Sequence, residues 1–93
     1  MLVEVIGKRA LPDDIDRDDV EELLAEALGP DGAVTGAGTW PGGWHLDVEV
    51  DDDAGPFPPV LTRLAAALVG RDLGWVELRP EQADDARPAD ELI

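Results

Sequence analysis

The only histidine of the chain lies in a stretch of alternating polar and apolar residues, 44–50, with the sequence WHLDVEV. Successive side chains of a β-strand point to opposite faces of a sheet, so His45, Asp47 and Glu49 share one face. Imidazole and carboxylate groups are ligands for divalent metal ions, and together they form general acid–base pairs. Same-face neighbours lie about 7 Å apart, so one ion would need a further ligand from an adjacent strand. A metal or acid–base site is one interpretation, and an ordinary solvated sheet face is the other.

The composition restricts this chemistry further. The 93 residues include no cysteine, serine or tyrosine, which excludes disulfides, thiolate metal sites, and cysteine or serine nucleophiles. An acidic run at 51–53 resembles part of a calcium loop, but prolines follow Gly55 where further ligands would be required. The glycines between 36 and 43 open no helix, as a phosphate-binding loop would. We therefore expect no cofactor and no bound metal, and catalysis is the less favoured interpretation.

The chain is strongly acidic. Its 22 acidic and 7 basic residues give a formal charge of −15 at pH 7. This charge disfavours contact with nucleic acid or with an anionic membrane surface and attracts a basic partner, although it would also keep a domain soluble without any partner. No apolar run approaches the roughly 20 residues that cross a bilayer, and the first residues lack the basic segment of a secretory signal. We expect a cytoplasmic protein.

Two segments before the histidine strand have clear patterns. Residues 2–6 are rich in β-branched side chains and are followed by Gly7, which predicts a strand. Apolar residues then recur at helical spacing and predict an amphipathic helix that ends at Gly29. Its acidic start is at Asp16 or at Asp18, since both positions suit an N-cap.

The histidine strand is the second half of a predicted hairpin. A weaker, glycine-rich strand at 33–40 precedes it, and a Pro-Gly-Gly turn joins the two. Trp40 and Trp44 flank this turn. They would pack against each other across the strands or, alternatively, form an aromatic lip of a binding site.

The remaining segments complete a recognisable order. Prolines at 58–59 open a second amphipathic helix, and 75–79 is a last strand. The order β-α-β-β-α-β predicts an α+β fold, a ferredoxin-like two-layer sandwich in which a four-stranded antiparallel sheet carries two helices on one face. We expect residues 1–79 to form a single α/β domain. Residues 80–93 are acidic and contain proline, so we expect a loosely ordered C-terminal tail.

In such a sheet the first and third strands are central and the glycine-rich strand lies at an edge. The residues facing the helices form the expected core: Val3, Val5, Val34, Leu46, Val48, Val50, Val76 and Leu78, packed beneath Leu24, Leu28, Leu64 and Leu68. The opposite face is left open and is the predicted binding face, with Glu4, His45, Asp47, Glu49, Trp75, Glu77 and Arg79 among Leu2, Ile6, Thr35 and Thr39.

These observations support two main function classes, and a purely structural, self-associating domain is a third possibility. The favoured hypothesis is a non-catalytic, acidic protein-interaction module that binds a basic partner, in the manner of an immunity protein, an antitoxin or a regulatory binding protein. The alternative is a small-ligand-binding or metal-assisted enzymatic domain that uses the open face around His45. A homodimer that covers the open face is compatible with either hypothesis, although the net charge opposes it at low salt.

Overall fold

A five-stranded antiparallel sheet and two α-helices form the architecture, which is α+β. The computed structural model describes residues 2–50, 59–81 and 83–93. The acidic run at 51–53, which the sequence disfavours as a calcium loop, and Pro58 of the predicted second helix lie outside these residues. The elements in chain order are β1 (Leu2–Gly7), α1 (Arg17–Leu28), β2 (Gly32–Trp40), β3 (Gly43–Val50), α2 (Pro59–Val69), β4 (Glu77–Pro80) and β5 (Arg87–Pro88), with short 3₁₀ turns at Gly29–Asp31 and Ala89–Glu91.

The strands are arranged in the order β2-β3-β1-β4-β5. β1 and β3 are interior and β2 lies at an edge, as the sequence predicts. The sheet has five strands, however, where the sequence predicts four, and its order differs from the four-stranded ferredoxin-like order because β5 lies outside β4. Strand β5 has only two residues, too few to carry the alternating pattern by which a strand is recognised.

The end of the chain packs against the domain, which corrects the expectation of a loose tail at 80–93. The backbone N–H of Ala89 donates to the carbonyl oxygen of Val76 at 2.8 Å, and that of Asp90 donates to Gly74 at 3.1 Å. Ala89 is fully buried, and Leu92 packs against the core. The segment is poor in apolar residues, so backbone hydrogen bonds and one buried methyl group hold it, and composition does not reveal these contacts.

Helix α1 begins and ends at the residues that its sequence favours. Asp16 is the N-cap, and its backbone N–H donates to Oδ2 of Asp19 at 3.0 Å. The alternative start at Asp18 is wrong, because that residue already lies in the first turn. Gly29 closes the helix with φ +55°, a left-handed conformation that glycine adopts without steric cost.

Both helices bury their apolar sides against one face of the sheet, where a single core forms. The sheet contributes Val3, Val5, Trp44, Leu46, Val48, Val50 and Leu78. The helices contribute Val20, Leu24, Leu28, Val60, Leu61, Leu64, Ala65 and Leu68. The predicted core residues are all buried here except Val34, which is half-buried at the edge of the cluster. Neither helix is long and apolar enough to cross a membrane, a finding that covers the described residues.

Trp44 is the largest side chain of this core and depends on a glycine in the neighbouring strand. Gly7 pairs with Trp44 across β1 and β3, and a Cβ atom at Gly7 would lie 2.1 Å from Cε2 of the indole. The Trp75 ring meets the Trp44 ring edge-on at a centroid distance of 6.5 Å. Since Trp44 is only 4% exposed, its ring has no free direction in which to move.

We expect Gly7→Ala to lower the free energy of unfolding by about 1–3 kcal/mol, because the added methyl overlaps the Trp44 indole. Urea denaturation measures the loss. In a Trp44→Leu background the same substitution should cost less, since the overlapping ring is gone. Equal losses in both backgrounds would contradict this packing.

Introducing a carboxylate at Ala89 tests the docked C-terminal segment. Ala89→Asp should lower the free energy of unfolding by about 2–4 kcal/mol, because an unpaired charge would be buried. Ala10→Asp, at an exposed position, should change it by less than about 0.5 kcal/mol. If urea denaturation finds the two variants equally stable, the segment from residue 87 onward does not pack as described.

Candidate binding face

The sheet face opposite the helices carries most of the predicted site residues. We call it the open face; it consists of Leu2, Glu4, Ile6, Trp40, His45, Asp47, Glu49, Glu77 and Arg79. Strand pairing brings its polar residues together, because Glu4 lies opposite Asp47 on one side and Arg79 on the other. Ile6 lies between His45 and Glu77 in the same way. Only Trp75, of the predicted site residues, is absent from this face.

Trp75 lies on the other side of the sheet, which corrects its predicted position. Strand β4 begins at Glu77, two residues later than the sequence predicts. The backbone N–H of Val76 donates to the carbonyl of Leu73 at 3.0 Å. Trp75 therefore still belongs to a turn, where the sequence predicts an extended strand with alternating side chains. The Trp75 ring therefore packs on Trp44, and the Arg9 guanidinium lies 4.3 Å from its centroid.

Ion pairs occupy part of the open face. Nη2 of Arg79 donates to Oε1 of Glu4 at 2.5 Å, and both side chains are 34% exposed. Nζ of Lys8 lies 3.3 Å from Oε2 of Glu77. Half-exposed pairs of this kind contribute about 0–1 kcal/mol each, so they orient side chains more than they stabilise the fold.

An irregularity in β2 decides which of its residues reach the open face. The register with β3 shifts between Val34 and Gly36, which indicates a β-bulge. After this shift Gly36 and Gly38 lie opposite Asp47 and His45, on the open face. A one-residue shift exchanges the two faces for the rest of a strand.

As a result, Thr39 and Trp40 lie on the faces opposite to those that unbroken alternation along β2 predicts. Thr39, which was predicted on the open face, instead lies opposite the buried Trp44, and Nη1 of Arg17 donates to its Oγ1 at 2.6 Å. Thr35 lies within the irregularity, and its hydroxyl donates to the carbonyl oxygen of Asp47 at 3.4 Å. Trp40 and Trp44 lie on opposite faces, so their predicted cross-strand packing is wrong.

Three glycines provide the room for three side chains on the open face. A Cβ at Gly38 would lie 2.3 Å from Cε1 of His45, and one at Gly36 would lie 2.9 Å from Oδ2 of Asp47. A Cβ at Gly43 would lie 2.6 Å from the indole of Trp40. The Trp40, His45 and Asp47 side chains therefore lie flat on the hairpin. We call these three residues the hairpin row.

The hairpin row borders an open depression of about 330 Å³, which is also lined by Glu4 and Ile6. The rings of Trp40 and His45 are stacked at a centroid distance of 5.9 Å and an angle of 30°. Trp40 is 43% exposed. The sequence suggests Trp40 only as part of an aromatic lip with Trp44 and does not place it on the open face, because no local signal marks the bulge.

The ionisable groups of the hairpin row are the imidazole of His45 and the carboxylate of Asp47. Nε2 of His45 lies 3.9 Å from Oδ2 of Asp47, which is beyond hydrogen-bond distance. Within residues 2–50, 59–81 and 83–93, no group of three or more histidine or acidic side chains is placed to hold a metal ion. The depression instead combines an aromatic face, an aliphatic side chain and carboxylates.

A marked concentration of negative charge lies on α1 and the loop before it. Between Asp13 and Glu26 the chain carries eight acidic residues and one arginine. We call the exposed members of this set the acidic surface: Asp13, Asp14, Asp16, Asp18, Asp19, Glu22 and Glu26. Arg17 turns toward Thr39 of β2, and Arg71 borders the surface beside Glu22 and Glu26.

Gly38→Ala should move the His45 ring away from Trp40, because the new methyl would occupy the place of the imidazole. NMR measures the displacement through the ring-current shift that the indole imposes on the His45 ring protons. We expect little change in unfolding free energy, since the imidazole is partly exposed and can move. Gly70→Ala, at the end of α2, provides the matched substitution and should leave the His45 shifts unchanged. Unaltered shifts in Gly38→Ala would contradict the stacked geometry.

Comparisons with protein-family models, with curated proteins and with solved structures find no match to this chain. Its function must therefore be argued from the geometry and charge of these two surfaces.

Proposed function

We propose that this chain is a non-catalytic, acidic interaction module that binds a basic protein partner, with the acidic surface of α1 as its first point of contact. The observation that carries the proposal is the concentration of eight acidic residues against one arginine between Asp13 and Glu26. An even distribution of charge would serve solubility alone. A concentrated field on one rigid helix attracts a partner from one direction.

The arrangement of α1 supports this role. Asp18, Asp19, Glu22 and Glu26 are exposed, while Val20, Leu24 and Leu28 are buried in the core. The carboxylates are therefore held on the outer side of an anchored helix. Charges within about 8 Å of one another remain coupled at physiological salt, so they act on an approaching protein together. Such steering raises the association rate and weakens as salt is added.

We also propose that the scaffold is a ferredoxin-like sandwich extended by β5. The succession β1-α1-β2-β3-α2-β4 along the chain and the interior positions of β1 and β3 support this assignment. Folds of this class serve many functions, so the fold provides a rigid support and the surfaces provide the specificity. An immunity, antitoxin or regulatory protein that neutralises a basic partner is the kind of protein that we envisage.

Neutralising the acidic surface should weaken association with the basic partner. We would immobilise the wild-type chain and, separately, the triple variant Asp18→Asn, Glu22→Gln, Glu26→Gln. Proteins that they retain from an extract of the host would be identified and then purified. For a basic protein that the wild type retains, we expect the triple variant to lower the association rate about tenfold at low salt, with a smaller effect at high salt. Surface plasmon resonance measures both rates.

A matched variant separates local charge from total charge. Asp72→Asn, Asp84→Asn, Asp85→Asn removes the same number of charges from exposed positions outside the acidic surface. It should retain most of the wild-type association rate. Equal effects of the two variants would show that net charge alone acts, and retention of only neutral or acidic proteins would overturn the proposal. Binding only to a second copy, seen by sedimentation, would also overturn it.

A further inference from the structure

We propose that the depression beside the hairpin row binds an arginine side chain of the partner, with the guanidinium stacked on Trp40 and paired with Asp47. This inference rests on the proposed function and names the group that the open face recognises. The hairpin row is separate from the acidic surface, so the two surfaces can be tested independently.

Trp40 supplies the first half of the recognition. Of the large hydrophobic side chains in the described part of the chain, only Trp40 and Ile93 are exposed. One side of the indole covers Gly43, and His45 stacks beside it. The ring is thereby held in place before any ligand arrives. Guanidinium groups stack on indole faces through cation–π attraction, which is strongest for tryptophan.

The chain already contains this type of contact elsewhere. The guanidinium carbon of Arg9 lies 4.3 Å from the centroid of the Trp75 ring, on the other side of the sheet. That pair shows the spacing that a stacked arginine requires. Trp40, which is 43% exposed on the open face, is the tryptophan available for such a contact with a partner.

Asp47 supplies the second half. Its side chain is 36% exposed, and its carboxylate lies 3.9 Å from the imidazole of His45, too far for a hydrogen bond. Glu4 lies in the same depression but already accepts a hydrogen bond from Arg79. Asp47 is therefore the carboxylate best placed to accept a new guanidinium, and Ile6 offers apolar contact to the methylene groups of the incoming side chain.

The aromatic and acidic lining of the depression favours arginine over other cations. A guanidinium is planar, so it can stack on a ring and donate two hydrogen bonds to a carboxylate at its edge. A lysine ammonium is a compact, strongly hydrated point charge that uses the flat ring less well. The glycines at 36, 38 and 43 leave room for the hairpin row to lie against the hairpin.

A peptide titration tests the proposal directly. The probe is a nine-residue Gly-Gly-Arg repeat, and its comparison peptide has citrulline, an uncharged isostere, at each arginine. NMR spectra of the labelled full chain would follow the indole N–H of each tryptophan and the His45 ring. We expect the arginine peptide to shift Trp40 and His45 and the citrulline peptide to leave them nearly unchanged. Equal shifts with both peptides would overturn the proposal.

Substitutions identify the contacts. Trp40→Ala and Asp47→Asn should each weaken the arginine peptide roughly fivefold, as expected for loss of one cation–π or charge-assisted contact. Trp40→Phe should retain part of the affinity. Asp85→Asn, which removes the same charge from an exposed loop, should have a smaller effect than Asp47→Asn. Equal effects of these two substitutions would show nonspecific attraction and would overturn the site.

The outcomes distinguish this inference from the proposed function. If the purified basic partner depends on Asp18, Glu22 and Glu26 but is indifferent to Trp40→Ala, the proposed function stands and the arginine site is wrong. If the arginine peptide binds at Trp40 but no basic protein is retained, the proposed function fails. If free arginine binds as tightly as the peptide, the depression recognises a small ligand, and the commitment to a protein partner is wrong.

Discussion

The extra residue in β2 is the constraint on which the open face depends. Because side chains alternate strictly along a strand, the register shift between Val34 and Gly36 exchanges the faces of every later residue in β2. Without it, glycines would lie above the core and Trp40 would be directed toward the helices. With it, Gly36 and Gly38 provide room for Asp47 and His45. One local irregularity thus places Trp40 on the same face as His45 and Asp47.

The sequence predicts those elements whose side chains must be buried. β1, α1 and the strand with Trp44 have long or strongly periodic patterns, because each must bury one side in a shared core. The features that it does not predict leave no such pattern. β5 is two residues long and is held through backbone groups, and the turn that delays β4 to Glu77 is a matter of backbone conformation. Neither feature produces a periodic pattern of apolar residues in the sequence.

The candidate site likewise contains residues whose face the sequence predicts and residues whose face it does not. Glu4, His45, Asp47, Glu49, Glu77 and Arg79 could be assigned to one face because β1, β3 and β4 are regular where these residues lie. The sequence places Trp75 on the wrong face and does not place Trp40 on the open face, because each residue adjoins an irregular segment. The charge of α1 can be read directly from the sequence, but only the packing of Val20 and Leu24 shows that the carboxylates around them are held outward. Composition predicts that the charge is negative, and packing shows on which side of α1 the charged groups lie.

In the proposed function, the two surfaces would act on different steps of association. Nη1 of Arg17, in the first turn of α1, donates to Thr39 at the end of β2, directly before Trp40, so the start of the acidic helix is anchored beside the hairpin row. Exposed carboxylates act over a distance of several ångströms and raise the rate of encounter, while a contact with an oriented indole acts only at close range and slows dissociation. Because Arg17 is committed to this anchoring contact, it does not neutralise the outer side of α1. Because the hairpin row lies on the sheet face opposite the helices, a partner attracted by α1 would have to extend around the edge at Thr39 and Trp40 to contact both surfaces.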